Sequence, residues 1–187
     1  MTLAAVQIFP DAAQELLASF RLATGLTGEL KGSRIDMDER GLFFSLFEKI
    51  GGRAIVGVAI SALKPSLGED RGHRDELTYA ALLNDCIGAA IVQEDGYAAV
   101  IIDDGRYDTL ALNHIRSDIA LMIGPCGEAK LELSHRSAGL QVADVIANTF
   151  FNRALVTERQ AHMAELVAPF LEQGSIKMRI LDGDGRA

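Results

Sequence analysis

Asp103 and Asp104 close an apolar run, Tyr97 to Ile102, and Gly105 follows them. A run of that kind reads as a buried strand, and a carboxylate at its end sits on the rim of a rigid sheet. There it can ligate Mg²⁺ or Mn²⁺ through oxygen, the donor that these hard cations take. Asp before Gly is equally a common turn, so the pair alone is ambiguous. The segment Gly139 to Leu155 is sharper. At about 3.6 residues per turn, Gln141, Asp144, Asn148 and Asn152 fall along one stripe. Leu140, Val142, Val145, Ile146, Phe150 and Phe151 fill most of the rest. The stripe reads as the solvated side of an amphipathic helix or as the wall of a polar pocket. Solvated faces favour Lys and Glu, whereas this one holds a single charge among amides, which suits a pocket where one carboxylate meets a cation.

Glu29-Leu30-Lys31-Gly32 sets an acid, a base and a glycine together in a loop, which on its own is ordinary surface sequence. His73, His114, His135 and His162 show no metal-ligand spacing; His135 precedes the Asp144 helix closely enough to reach a site there. Cys86 and Cys126 fit no metal spacing and read as two reduced thiols, Cys86 within a helical apolar pattern. The terminal Asp182-Gly-Asp-Gly lacks most of the ligands of a calcium loop.

The elements that must position these residues follow from apolar periodicity and breakers. Leu3 to Phe9 reads as a strand stopped by Pro10, and Asp11 with Gln14 as a capping box opening a helix that Gly25 ends. Thr27 to Asp36 has no period; Met37 to Ile50 is expected to be helical, closed by Gly51-Gly52. Arg53 to Ile60 is nearly continuous apolar sequence, as in a strand buried on both faces. A loop with Pro65, Gly68 and Gly72 follows from Ser61 to about His73. Arg74 to Val92 reads as a helix burying Leu77, Ala81 and Cys86, and Tyr97 to Ile102 as another buried strand. Next come a helix over Tyr107 to Ile123, a strand over Ala129 to Leu133 and the helix Gly139 to Leu155. Thr157 with Gln160 caps a helix to about Glu172, Ser175 to Leu181 reads as an edge strand, and Asp182 to Ala187 as a frayed tail. Strands alternating with helices indicate an α/β sheet covered by helices, a fold that places ligands beyond strand ends.

The 187 residues suggest one domain. Hydrophobic residues make up 49% of the chain and charged ones 24%, enough for one core and too apolar for disorder. The net charge is −8 and no basic stripe is visible, which weighs against tight unaided binding to duplex DNA. No signal-peptide pattern opens the chain and no apolar run reaches membrane-spanning length, so a soluble protein of the cytoplasm is expected.

Three pieces together carry a resemblance: Glu29-Leu30-Lys31-Gly32-Ser33, the strand-ending Asp103, and Gly139-Leu-Gln-Val-Ala-Asp144-Val-Ile. In order and spacing, from about Leu3 to Phe151, they resemble the bacterial domain-of-unknown-function 3800 family, the last block being the most specific. The resemblance implies a ribonuclease H-like α/β fold, a mixed sheet covered by helices, with a divalent-metal site. By it, Glu29, Asp103 and Asp144 are the metal-binding acids, with Asp104 the second choice. Lys31 lies beside them, and Ser134 occupies a small polar position before the Asp144 helix. Family members open with a strand bearing Asp-Glu-Ser-Gly, whose Asp should be a central ligand. Here Leu3-Ala-Ala-Val-Gln-Ile looks like the strand after that one, so the first strand is absent. A vacant sheet position exposes backbone donors and acceptors. Either the natural protein begins upstream of Met1, or this chain pairs with itself or a partner strand at the vacant edge.

The activity so implied is that of a Mg²⁺- or Mn²⁺-dependent phosphodiesterase, a nuclease using water attack on phosphorus. Glu29, Asp103 and Asp144 would hold metal, and Lys31 would stabilise developing negative charge. Nucleic acid, single-stranded or hybrid rather than long duplex, would bind weakly and depend on metal. One alternative is a degenerate, non-catalytic interaction protein with an incomplete metal site. Another is a small-molecule enzyme using the same strand-end crevice.

Overall fold

Arg53–Ala59, β2, is the strand around which the chain is laid down. A computed structural model describes residues 1–59, 70–91, 96–153 and 158–181. In it β2 is central in a three-stranded mixed sheet, antiparallel to β1 (Thr2–Gln7) and parallel to β5 (Ile176–Leu181). The register runs from Thr2 opposite Val58 to Gln7 opposite Arg53, and from Ala54 opposite Ile176 to Ala59 opposite Leu181. Its apolar composition follows from this place: with strands on both sides and helices on both faces, neither alternate set of side chains meets water. Ala54 and Val56 enter a core with Leu16, Phe20, Phe43, Phe44, Phe47, Val145 and Ile146. Ile55 enters a second core with Leu83, Cys86 and Ile119. At Gly57 a β-carbon would lie 2.8 Å from Cys86 Sγ and 3.0 Å from Leu82 Cδ2, so the glycine lets a helix settle directly on the strand.

That helix is α3 (Arg71–Ile91), which covers the second-core face with α4 (Thr109–Ile123). The opposite face is covered by α1 (Pro10–Thr24), α2 (Met37–Lys49), α5 (Ala138–Arg153) and α6 (Glu158–Glu172). Boundaries differ from the sequence expectation where local chemistry was misjudged. Pro10 does not stop a strand beyond Gln7; it occupies the first turn of α1, where its missing N–H costs nothing. Phe9 is the N-cap without a side-chain bond, so the expected Asp11–Gln14 box does not form. The box that forms is Asp36–Glu39: Asp36 Oδ1 accepts the Glu39 N–H at 2.9 Å and Glu39 Oε2 accepts the Asp36 N–H at 3.0 Å. Gly25 ends α1 as expected, at φ 73°. α3 begins at Arg71 and so absorbs Gly72 and His73, expected in a loop. Its buried side is Tyr79, Leu82, Leu83, Cys86 and Ile87, whereas Leu77 is about a third exposed, at 37%. On α5, Phe151 is exposed rather than part of the apolar side. Residues 60–69, the Thr157 cap and the 182–187 tail lie outside the described residues. No helix among the described residues is long and apolar enough to cross a membrane.

A second, two-stranded sheet pairs β3 (Ala98–Asp103) parallel with β4 (Gly127–Glu132). Ile102, Ala129, Val100 and Leu131 join the core of α3 and α4, but Ala99 and Ile101 are exposed. β3 is thus buried on one face only, not on both as its composition suggested. Among the described residues β1 ladders only with β2, and β3 only with β4, although both pack on α5. Each thus has one edge without ladder bonds to the described residues.

The larger core is ordered by aromatic contacts around Phe43, whose ring lies 5.3 Å from Phe44, 6.3 Å from Phe47 and 6.5 Å from Phe20. Phe43 is fully buried, so Phe43→Ala should lower stability by about 3–5 kcal/mol. Urea unfolding should show an earlier midpoint at unchanged slope.

Candidate functional site

The loop between α1 and α2 carries Glu29 and Lys31, and α5 holds it in place. Leu30, fully buried, anchors the loop in the core and donates its N–H to Gln141 Oε1 at 3.0 Å. Gln141 Nε2 in turn donates to the Ser134 carbonyl at 3.1 Å, tying the turn before α5 to the same point. One helical turn on, Asp144 Oδ2 accepts the Gly32 N–H at 2.7 Å. At Gly32 the loop comes close to α5: a β-carbon there would lie 2.6 Å from Asn148 Cβ and 3.0 Å from the Asp144 carbonyl oxygen. Arg40 of α2 closes the joint from behind. Its guanidinium, fully buried, donates to the Gly32 carbonyl at 2.5 Å, Thr149 Oγ1 at 2.6 Å and Asn148 Oδ1 at 3.2 Å. The polar stripe of α5 is therefore a clamp. Gln141 and Asp144 satisfy loop N–H groups, Asn148 faces Arg40, and Asn152 bonds back to Asn148.

Lys31 Nζ lies 2.9 Å from Glu29 Oε1 and donates to Ser134 Oγ at 3.1 Å. The Ser134 hydroxyl donates to the same Glu29 oxygen at 2.5 Å. Burial pushes the Glu29 carboxyl up, but the Ser134 and Lys31 hydrogen bonds, the Lys31 charge and His135 outweigh it, and the net shift is downward. Asp103 behaves oppositely. Burial raises it above its ordinary value, Asp144 and Glu29 add to the rise, and Lys31 and the Gly105 N–H oppose it. The expected residues Glu29, Lys31, Asp103 and Asp144 thus share one electrostatic environment, brought together from three distant segments. Asp104 is exposed, its N–H bonded to the Glu132 carbonyl, and stands outside that group. His135 reaches the environment of Glu29, while His114 and His162 are exposed. Cys86 is a free buried thiol pushed up to about 12 by burial.

Sequence reasoning missed two contributors. Arg40 falls at helical spacing with Phe43, Phe44 and Phe47, and a charge on a buried stripe was the available signal. Beyond Asp103, Arg106 lies 5.6 Å from the centroids of both the Tyr79 and Tyr107 rings. Tyr107 Oη donates to Asp75 Oδ2 at 2.7 Å, so this clasp ties the end of β3 to the start of α3.

The donor types fit Mg²⁺ or Mn²⁺: three carboxylates, with Asp103 under the repulsion that a cation would relieve. Their spacing is not that of a closed ligand shell. Among the described residues, no three His, Cys, Asp or Glu side chains converge closely enough to hold one ion. Glu29 and Asp144 are instead engaged by donors of the chain itself. Comparison with protein-family models, curated proteins and solved structures finds no match for this chain.

Two outcomes follow from this geometry. Gly32→Ala should cost about 1–3 kcal/mol and speed hydrogen exchange at the Leu30 amide, because Asn148 and the α5 backbone cannot yield equally. Since Asp103 is raised on folding, its favourable contribution is full below its unfolded pKa and lost as pH rises through the folded value. Asp103→Asn should therefore raise the melting temperature near neutral pH, with the gain vanishing in acid below the carboxylate range.

Proposed function

We propose that this chain is a divalent-metal-dependent phosphodiesterase with a ribonuclease H-like fold, acting on nucleic acid. The observation that carries the reading is that α5, which is bonded to the Glu29–Lys31 loop through Asp144, also packs on β3, so that Lys31, Asp144 and Glu29 all act electrostatically on Asp103. These are the residues that the resemblance to the domain-of-unknown-function 3800 family selects.

In this reading Glu29, Asp103 and Asp144 would hold Mg²⁺ or Mn²⁺, which would supply Lewis-acid chemistry at a phosphodiester. The chain's own part is positional. The α5 clamp fixes the backbone of the loop, so Glu29 and Lys31 keep one position relative to Asp144. Lys31 offers an ammonium to negative charge developing on phosphorus-bound oxygen. With a net charge of −8, affinity for nucleic acid should be weak and salt-sensitive. A second reading, a non-catalytic interaction protein, is favoured by one observation: Asp144 and Glu29 already have partners within the chain.

Mn²⁺ should raise the melting temperature of the wild type and leave Asp144→Asn unmoved. Equal stabilisation of the two would remove Asp144 from the ligand set. Single-stranded and hybrid oligonucleotides should be cut only with Mg²⁺ or Mn²⁺ present. Metal binding without cleavage of any polynucleotide would favour the non-catalytic reading.

A further inference from the structure

Lys31 sets an ammonium of the chain's own among the candidate carboxylates. It closes a triangle with Glu29 Oε1 at 2.9 Å and Ser134 Oγ at 3.1 Å, and Ser134 bonds that same Glu29 oxygen at 2.5 Å. One oxygen thus accepts from two donors, which fills the lone pairs of Oε1, and the ammonium beside it repels a second cation approaching Oε2. Of the charges around Asp103, that of Lys31 acts most strongly, ahead of Asp144 and Glu29. The ammonium is thus paired with Glu29, and its charge also reaches an acid of a separate segment. It is also free to leave: the Lys31 side chain is 30% exposed, on a long flexible stem that can turn into solvent. Arg40, fully buried and bonded to Gly32, Thr149 and Asn148, has no such exit.

We propose that Lys31 is a built-in counter-cation that a divalent ion must displace from Glu29 and Ser134 before it can enter the site. This rests on the metal-site reading above. Metal binding is then an exchange of cations at Glu29: the ammonium–carboxylate pair breaks, and the ammonium is released to meet negative charge on a bound phosphodiester. The metal-free chain keeps its acids compensated, and apparent metal affinity is reduced by the strength of the contacts that must break.

The test uses the full chain and Mn²⁺ alone, following loss of the free-ion electron paramagnetic resonance signal, with thermal shift as a second readout. Lys31→Met should half-saturate at roughly tenfold lower Mn²⁺ than wild type, the size expected for removing one partly exposed ion pair and a like charge. Lys31→Arg keeps the charge and should gain nothing. Ser134→Ala should shift binding in the same direction by less, and it carries the test if Lys31→Met does not fold. Wild type that binds while Lys31→Met or Ser134→Ala binds no tighter overturns the inference and leaves the metal site standing. If neither wild type nor the variants bind, the metal-site reading falls and takes this inference with it. Binding by Lys31→Met but not by wild type means that the guard is complete.

Discussion

The Gly32 N–H bonded to Asp144, across an approach that leaves no room for a side chain, is the contact on which the candidate site depends. A loop has no ladder to satisfy its backbone, so a loop pressed against a helix needs side-chain partners or carries a desolvation penalty. α5 supplies them at successive turns, Gln141 for Leu30 and Asp144 for Gly32, while Arg40 takes the Gly32 carbonyl. Glu29 and Lys31 flank Leu30, whose burial fixes their direction. With the loop so held, their heads meet each other and Ser134 rather than wander in solvent.

Asp144 therefore has two duties in tension. As acceptor for Gly32 it positions the loop; as a carboxylate it raises the cost of ionising Asp103. The same tension governs Glu29, whose burial opposes its charge until Ser134 and Lys31 offset the penalty. Neighbouring acids are tolerable only if their charge is compensated, and here one ammonium, one hydroxyl and two backbone N–H groups, those of Gly32 and Gly105, contribute to that. The site is thus a balanced polar network on the margin of two cores, in which each acid constrains its neighbours.

The sheet has a comparable asymmetry. β2 lies between ladders and between helix layers, and Gly57 lets α3 approach it closely. β3, which delivers Asp103, is anchored on one face and by β4 alone, with the Arg106–Tyr79–Tyr107 clasp at its end. The candidate site is built between the most buried part of the fold and its least enclosed sheet.

From the sequence by itself came the α/β class, the helices and strands to within a few residues, the burial of β2 on both faces and the identity of the stripe on α5. These are set by local apolar period and breaker chemistry, which act over a few residues and are written in the chain. Local signals also erred where two competed, as at Pro10, which could end a strand or begin a helix, and at Asp11, outweighed as a cap. Only the tertiary structure decided that the stripe is a clamp, that Arg40 is buried, that β3 is half exposed and that the strands divide into two sheets. It also decided that Lys31, Glu29 and Ser134 share one triangle. Those facts depend on contacts between residues about a hundred positions apart, such as Ser134 with Glu29. No local period encodes which of many solvated polar groups will lose its water to another; packing the cores makes that choice.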